Sequence, residues 1–385
     1  MQDTSVTTLA NSADAAPTPP VSAPTALAHA LGSTPTSLQE LAGGLTFSVF
    51  SILSQELAAL VEGAGAFDLG YRGQIAVRST DRVRWLNGML TNNIQQLAEG
   101  HGNYSFVLNA QGRILGDCDA YSLADHLLVM TDRSQIPALM AHFDRFIIMD
   151  DVTLEEVSAT RTALGLAGPL APQLLAKLGV TLPASTPGGL WLMQTRICGV
   201  PVQLTGGYPA ASSRFELWCA SENVRMLWDV LLAAGALPCG IRAAEALRVL
   251  EATPRYGVDL GERYLPQETS QTRALHFSKG CYLGQEIVER IRSRGAVHRC
   301  LAQFTLSSEP ATLPLDLTAA GESAVAGRIT STALFNGTLY GLGVVRTEVV
   351  VRSQADADAN TFDYPGGAAT LVTHPPLART ATQSS

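Results

Sequence analysis

The feature that most constrains the fold of this chain is a pattern of hairpin-connected strands followed by an amphipathic helix, which occurs twice. In the first round, alternating apolar and polar residues predict strands at 104–109, 113–121 and 127–131. A helix is predicted to follow them at 135–148. In the second round, the corresponding strands lie near 190–196, 200–205 and 214–219, and the helix places on one face Val224, Leu227, Trp228 and Leu231. Strands joined by hairpins, rather than by strict β-α-β repetition, predict the α+β class.

The last part of the chain has a different pattern. From His298 onward the helical periodicity disappears, and turn residues separate short apolar runs at 300–306, 324–331, 339–345 and 368–372. This pattern predicts a small antiparallel β-barrel as the final domain. The predicted division is therefore a main body over 41–297 and a barrel over 298–376.

Both ends of the chain have the composition of disordered segments. Residues 1–40 are rich in Ala, Pro, Thr and Ser and carry almost no charge, and residues 377–385 are similar. Such segments bury too little apolar surface to offset the entropy lost on ordering. We therefore predict two disordered tails that flank the folded domains.

Composition also limits the class of protein. The 385 residues have a net charge of −8, which argues against a large nucleic-acid footprint. No apolar run is long enough to cross a membrane, and the start of the chain lacks the pattern of a secretory signal, so no membrane partner is expected. The six cysteines are scattered singly without a C-x-x-C, which predicts reduced thiols and a cytoplasmic location.

The segment 279–286, K-G-C-Y-L-G-Q-E, is the most informative stretch of the sequence. Two glycines bracket Cys281, so the backbone can turn tightly and leave the sulfur accessible. Lys279 lies two residues away and would favour the thiolate electrostatically. The alternative is that Cys281 is a small buried hydrophobe. Because no second cysteine is near, this segment predicts no complete metal site.

A cluster of basic residues follows the same segment. Over 279–299, five basic residues against two glutamates give a net charge of +3 within an acidic chain. A weak contact with tRNA phosphates is expected through Arg290, Arg292, Arg294 and Arg299. The alternative is an ordinary solvated surface.

The 279–286 segment resembles the signature of the YgfZ-type folate-binding proteins, which are relatives of the glycine-cleavage T-protein (aminomethyltransferase). The resemblance runs from about Gly65 to Thr373 and includes 67–70, 81–93, 168–169, 244–251 and 254–259. It implies a T-protein-like, multi-lobed α+β body around a central folate channel, followed by the barrel. It also implies tetrahydrofolate, or a one-carbon derivative of it, as the cofactor.

Two helical residues are candidates for the folate pocket. Arg248 and Glu251 are three residues apart on a predicted helix and project from one face. An ion pair within the helix is one interpretation. In the family, the glutamate that matches Glu251 accepts hydrogen bonds from the pterin, which suits a carboxylate because its two oxygens receive adjacent donors.

The hairpin 104–117 is similar to the hairpin that lines the folate site of the T-protein. The resemblance implies that Tyr104 stacks on or caps the folate, whereas the alternative is an ordinary strand aromatic. Asp117 matches the second of two adjacent family aspartates, and we expect it to face the reacting folate nitrogen. Gly116 replaces the first aspartate, which weakens the case for T-protein chemistry.

Three functions remain open from the sequence. The first is a tetrahydrofolate-binding factor that supports iron–sulfur enzymes, including tRNA-modifying ones, with Cys281 as a nucleophile or transient cluster ligand. The second is an aminomethyltransferase of the glycine-cleavage type, to which Asp117 would contribute. The third is a tRNA-binding module, which the net charge makes a minor activity.

Overall fold

The computed structural model describes residues 22–183, 189–207, 213–295, 297–319, 322–355, 360–373 and 375–377. A small sheet opens this part of the chain, with strand order β1-β3-β2. Its strands are β1 (Ala23–Pro24), β2 (Leu38–Leu41) and β3 (Gly44–Phe47). The prediction of a disordered tail over 1–40 is therefore wrong for residues 22–40. Leu27 is fully buried there, and the Thr25 hydroxyl donates a hydrogen bond to the buried Asp68. Residues 1–21 and 378–385 of the predicted tails lie outside the described residues.

A large sheet of eleven strands forms the main body, in the order β14-β4-β10-β13-β12-β11-β6-β7-β8-β5-β9. Its strands are β4 (Gly65–Asp68), β5 (Arg72–Arg78), β6 (His101–Leu108), β7 (Ile114–Ser122), β8 (Leu127–Asp132), β9 (Thr153–Glu156), β10 (Arg161–Ala167), β11 (Leu190–Ile197), β12 (Val200–Gly206), β13 (Arg214–Ala220) and β14 (Leu237–Pro238). All pairings are antiparallel except that of β14 with β4.

The sheet consists of two halves with the same internal strand order. One half reads β5-β8-β7-β6 and the other β10-β13-β12-β11, and they meet where β11 pairs with β6. The short strand that precedes each half pairs with the first strand of the other half, β4 with β10 and β9 with β5. The two rounds predicted from the sequence are thus confirmed, and they form one continuous sheet.

Nine helices are described. They are α1 (Ala26–Ala30), α2 (Leu53–Glu62), α3 (Arg82–Met89), α4 (Ile136–Asp144), α5 (Ala171–Lys177), α6 (Val224–Ala233), α7 (Ile241–Leu250), α8 (Gln285–Arg294) and α9 (Thr347–Ala355). The predicted apolar face of α6 is confirmed, since its four apolar residues are buried. Among the described helices, none has the length and apolar character needed to cross a membrane.

The C-terminal strands form a closed barrel in the order β15-β18-β17-β16-β19-β20, closed by pairing of β20 with β15. The strands are β15 (Arg299–Leu306), β16 (Leu315–Ala319), β17 (Val325–Phe335), β18 (Thr338–Arg346), β19 (Thr361–Tyr364) and β20 (Gly367–Leu371). The predicted barrel is confirmed. The expectation of no helix after His298 is wrong, because α9 follows β18 directly.

The barrel holds the end of helix α7 in place. The side-chain amide of Gln303, in β15, donates to the carbonyls of Val249 and Leu250 at 2.6 and 3.0 Å. These are carbonyls of the last helical turn, which have no partner within the helix. The barrel therefore fixes the backbone at the point where α7 ends in Glu251.

Candidate functional site

A cavity of about 220 Å³ is lined by both halves of the large sheet, by α7 and by the segment after α7. Four of its lining residues were predicted from the sequence, namely Tyr104, Asp117, Arg248 and Glu251. Aromatic and apolar side chains of β4, β7 and the segment after β4 complete the wall, among them Phe67, Leu69, Tyr71 and Tyr121. The cavity thus combines flat apolar surfaces with charged groups.

Tyr104 and Asp117 form a direct contact on one wall. The Tyr104 hydroxyl donates a hydrogen bond of 2.7 Å to Oδ2 of Asp117, and the Arg273 guanidinium lies 4.2 Å over the Tyr104 ring. Burial raises the pKa of the Asp117 carboxyl, and the nearby Asp132 adds to this, whereas hydrogen bonds from Gln135 and Tyr104 oppose it. The surroundings of Asp117 therefore make its carboxyl bind a proton more tightly than an exposed aspartate does.

Gln135 completes the surroundings of Asp117. Its side-chain amide donates to Asp117 Oδ1 at 2.9 Å, and its carbonyl oxygen accepts the Asp117 backbone N–H at 3.0 Å. Gly116 leaves the room for this contact, since a Cβ there would lie 2.8 Å from the Gln135 oxygen and 2.9 Å from a Leu139 methyl. Side chains alternate along β7, so residue 116 faces Gln135 and helix α4 rather than the cavity.

Glu251 provides the carboxylate of the opposite wall. It is only 1% exposed, and its Oε2 accepts a hydrogen bond of 2.8 Å from the Arg214 guanidinium. Glu251 caps the end of α7, and its position is set by that helix and by the barrel beneath it. The pair Arg214–Glu251 joins β13 to α7 across the cavity.

Arg248 is a buried anchor with several partners. Its guanidinium contacts Glu245 and Asp259 at 2.7 Å each and Ser331 of the barrel at 2.9 Å. These contacts link α7 to the segment after it and to strand β17. Arg248 therefore borders the cavity while it joins the main body to the barrel.

A second group of charged residues lines the same cavity and was not predicted from the sequence. Arg72 contacts Asp119 at 2.9 Å and Asp132 at 3.5 Å, and Arg255 contacts Asp132 at 2.9 Å. Burial raises the pKa of Asp119 to about 6, although Arg72 opposes the shift. The alternation of β7, which places residues 117, 119 and 121 on one face, was a signal for Asp119. Arg255 lies in the recognised stretch 254–259, but no local pattern indicated that it or Arg72 lines the cavity.

Lys279 lies against the end of helix α3. Its ammonium is buried and donates to three backbone carbonyls, those of Asn87, Leu90 and Asn92, at 2.6, 2.6 and 2.7 Å. Burial lowers the pKa of Lys279 to about 7. Three carbonyl acceptors favour the charged form, since a neutral amine has only two N–H groups. These carbonyls take all three donors of the ammonium, so none is left for a hydrogen bond to the Cys281 thiol, and an electrostatic effect of Lys279 on the thiolate stays a prediction.

Cys281 is exposed and lies in the loop before α8, outside the residues that line the cavity. The alternative of a buried cysteine is therefore wrong. The next residue, Tyr282, is buried in a cluster with Phe106, Leu108 and Ile114 of the β6–β7 hairpin. The hairpin that carries Tyr104 and Asp117 thus also supports the Cys281 loop.

Some arginines of the predicted basic cluster are exposed to solvent, and some pair with acidic residues of the protein. Arg290 is exposed on α8, whereas Arg292 is also exposed but pairs with Glu289 and lies over the Phe277 ring. Arg299 pairs at 3.0 Å with the buried Glu268. The side chain of Arg294 lies outside the described residues. The charge of Arg299 is therefore paired within the protein rather than available for a phosphate contact.

The fold and the cavity define a T-protein-like class of protein: a sheet of two similar halves, a central polar cavity and a C-terminal barrel. Residues 29–279 match the family described as "GCVT N-terminal domain", and the chain belongs to that family. An aminomethyltransferase of Anoxybacillus flavithermus is 28% identical over 256 residues, which cover 65% of this chain and 70% of the relative. One of Geobacillus thermodenitrificans is 29% identical over 323 residues, which cover 79% and 85%.

The comparison with solved structures supports the same fold. The crystal structure of the glycine cleavage system aminomethyltransferase T from Bartonella henselae aligns with a TM-score of 0.78. The alignment covers 92% of this chain and 96% of that chain at 19% sequence identity. The predicted T-protein-like fold with its C-terminal barrel is confirmed.

Proposed function

We propose that this protein binds tetrahydrofolate, or a one-carbon derivative of it, in the central cavity. The observation that carries the proposal is the buried carboxylate of Glu251, held by Arg214 at the end of α7. Two carboxylate oxygens suit the adjacent N–H donors of a pterin ring. The aromatic side chains of the wall suit its flat faces. The names of the relatives, which are aminomethyltransferases, agree with a folate ligand.

In this proposal, the Tyr104–Asp117 pair faces the reactive part of the folate. Bound folate would supply the nitrogen atoms that carry a one-carbon unit. The protein would contribute an acid of raised pKa at Asp117, held by Gln135 and Tyr104, that binds a proton more tightly than an exposed aspartate. Arg248 would act indirectly, by joining α7 to the barrel.

We further propose that the protein is of the YgfZ type and supports the assembly or repair of iron–sulfur enzymes in the cytoplasm. Support comes from the exposed thiol of Cys281 in the K-G-C-Y-L-G-Q-E segment, since an accessible sulfur can meet a partner protein. One cysteine does not hold a cluster alone, so the other ligands would come from a client enzyme or a small thiol. A tRNA contact through α8 stays a prediction, for which Arg290 and Arg292 are the exposed residues.

The experiment for this role is rescue of a bacterial strain that lacks its own YgfZ-type protein. Wild type, Cys281→Ala and Cys198→Ala are expressed side by side, and the methylthiolated fraction of tRNA is measured. Cys198 is the matched control because it is the other exposed cysteine. Rescue by wild type and Cys198→Ala, but not by Cys281→Ala, is expected. Equal rescue by Cys281→Ala would remove the thiol from the proposal.

A second candidate function is aminomethyl transfer of the glycine-cleavage type. The names of the curated relatives and the position of Asp117 in the cavity favour it. The test is a glycine-cleavage assay with the partner proteins supplied, with wild type and Asp117→Asn. Turnover that depends on Asp117 would support this function, and absence of turnover by a folded, folate-binding protein would exclude it.

A further inference from the structure

We infer that Lys279 is a positioning residue that fixes the Cys281 loop, residues 276–284, against the end of helix α3. The inference rests on the function proposed for Cys281. It concerns how the fold presents that thiol.

The first observation is the set of acceptors around the ammonium. Three carbonyls converge on Nζ within 2.7 Å, and they belong to the last turn of α3 and the turn that follows. The last carbonyls of a helix lack partners within the helix and carry partial negative charge. An ammonium with three donors matches such a site, and an apolar side chain in its place would leave all three carbonyls buried without a donor.

The second observation is that the loop touches the same helix end again after Cys281. The backbone N–H of Leu283 donates to the carbonyl of Gly88 at 3.0 Å. Cys281 therefore lies between two attachments to α3, at residues 279 and 283. Only the attachment at 279 depends on a side chain that the loop itself supplies.

The third observation connects the same turn to the cavity. The Asn92 side-chain amide donates to the carbonyls of Tyr104 and Arg273 at 3.0 and 2.8 Å. Those two residues line the cavity. The Asn92 side chain makes these two contacts itself, so Lys279 ties the Cys281 loop to this turn without supplying a donor to the proposed folate wall.

The test compares Lys279→Met with Lys177→Met in the full-length protein. Lys177, exposed in the last turn of α5, is the only other lysine of the chain and serves as the matched control. Three quantities are measured: hydrogen exchange of peptides over 276–284, the dissociation constant for tetrahydrofolate, and rescue of tRNA methylthiolation in the deletion strain. Cys281→Ala is assayed for rescue in parallel.

For Lys279→Met we expect exchange over 276–284 to become at least tenfold faster, with unchanged exchange in the barrel. The folate dissociation constant should stay within about threefold of wild type, while rescue falls below half. Lys279→Arg, which keeps the charge and several donors, should restore part of the protection and of the rescue. Lys177→Met should match wild type in all three measurements.

Unchanged exchange over 276–284 in Lys279→Met would overturn the inference. If that variant unfolds, Lys279→Gln, which keeps two N–H donors, is measured in the same way. Unfolding of both would also overturn it, because Lys279 would then serve the whole fold rather than this loop. Full rescue by Cys281→Ala would refute the proposed thiol function instead, and the exchange result would still decide the positioning of the loop.

Discussion

The Tyr104 hydroxyl donates a hydrogen bond to the Asp117 carboxyl across the β6–β7 hairpin, with 2.7 Å between the two oxygens. The residues are not directly opposite each other, because Tyr104 pairs with Asp119 and Asp117 pairs with Phe106. The contact is a diagonal one on a single face of the hairpin, within reach of a long aromatic side chain. The hairpin thereby presents an acid and its hydrogen-bond donor together to the cavity.

Removal of the Tyr104 hydroxyl should weaken this arrangement. In Tyr104→Phe, Oδ2 of Asp117 loses a donor, and we expect the free energy of unfolding at pH 7 to fall by about 1–2 kcal/mol. Urea denaturation measures the change. The control is Tyr340→Phe in the barrel, which does not line the cavity and should change stability by less than about 0.5 kcal/mol. Equal effects of the two variants would contradict the assignment.

A side chain at position 116 should displace the ends of the Gln135 and Leu139 side chains. A Cβ at this position would meet Gln135 and Leu139 at under 3.0 Å, so Gly116→Ala should destabilise the protein by about 1–3 kcal/mol. Gly88→Ala is the matched control, because Gly88 lies in α3 with no atom within 4 Å of its Cβ position. That change should stabilise the protein by about 0.5–1 kcal/mol. A neutral or stabilising Gly116→Ala would show that Gln135 does not need this space.

The stability of the protein should carry a signature of Asp119 between pH 4 and 7. The folded state holds its pKa near 6, above the usual 3.8, so the folded state binds the proton more tightly. The contribution of Asp119 to the free energy of unfolding is fully present below about pH 4 and is lost as the pH rises through 6. The loss amounts to at most about 3 kcal/mol. Asp119→Asn should therefore gain stability relative to wild type as the pH rises.

Asp125→Asn is the control for that titration. His126 lowers the pKa of the exposed Asp125, so removal of this carboxyl should produce a pH dependence of the opposite sign, if any. Urea denaturation at several pH values measures both variants. A stability difference between wild type and Asp119→Asn that does not vary with pH would contradict the raised pKa.

The barrel should contribute to folate affinity although it lies outside the cavity. Gln303→Leu removes the donor to the last carbonyls of α7 and should shift Glu251, so we expect about tenfold weaker binding of tetrahydrofolate. Thr370→Ala, an exposed change in the same barrel, should leave binding unchanged. Calorimetric titration measures both. Normal affinity of a folded Gln303→Leu would show that α7 needs no support from the barrel.

Much of the fold was predictable because its strands and helices have clear local periodicity. The strands of both halves and the buried face of α6 followed the alternation of apolar residues. The ordered structure of residues 22–40 was not predictable from local periodicity, because it depends on distant partners. One of them is Asp68, which accepts hydrogen bonds from Thr25 and Thr46. Helix α9 was missed although it is as long as the predicted α4, because its three successive valines at 349–351 are β-branched and favour a strand.

The candidate site was predictable where a residue lay in a recognisable segment, as for Tyr104, Asp117 and Glu251. Arg214 could not be predicted, since it reaches the cavity from strand β13, whose placement depends on the whole sheet. Arg255 lies in the recognised stretch 254–259, but its sequence position does not show that it contacts Asp132 of a distant strand. Lys279 shows the converse. Its proximity to Cys281 in sequence suggested an action on the thiol, but its buried ammonium donates to the carbonyls of a helix end 187–192 residues earlier.

Titration of the protein with tetrahydrofolate tests the central claim most directly. Wild type should bind tetrahydrofolate with one-to-one stoichiometry. Glu251→Gln should bind it at least tenfold more weakly, a loss of about 1.4 kcal/mol of binding free energy. The control Glu286→Gln, which changes an exposed residue of α8, should bind it as wild type does. Equal affinity of wild type and Glu251→Gln, or no binding by the folded wild-type protein, would contradict the account.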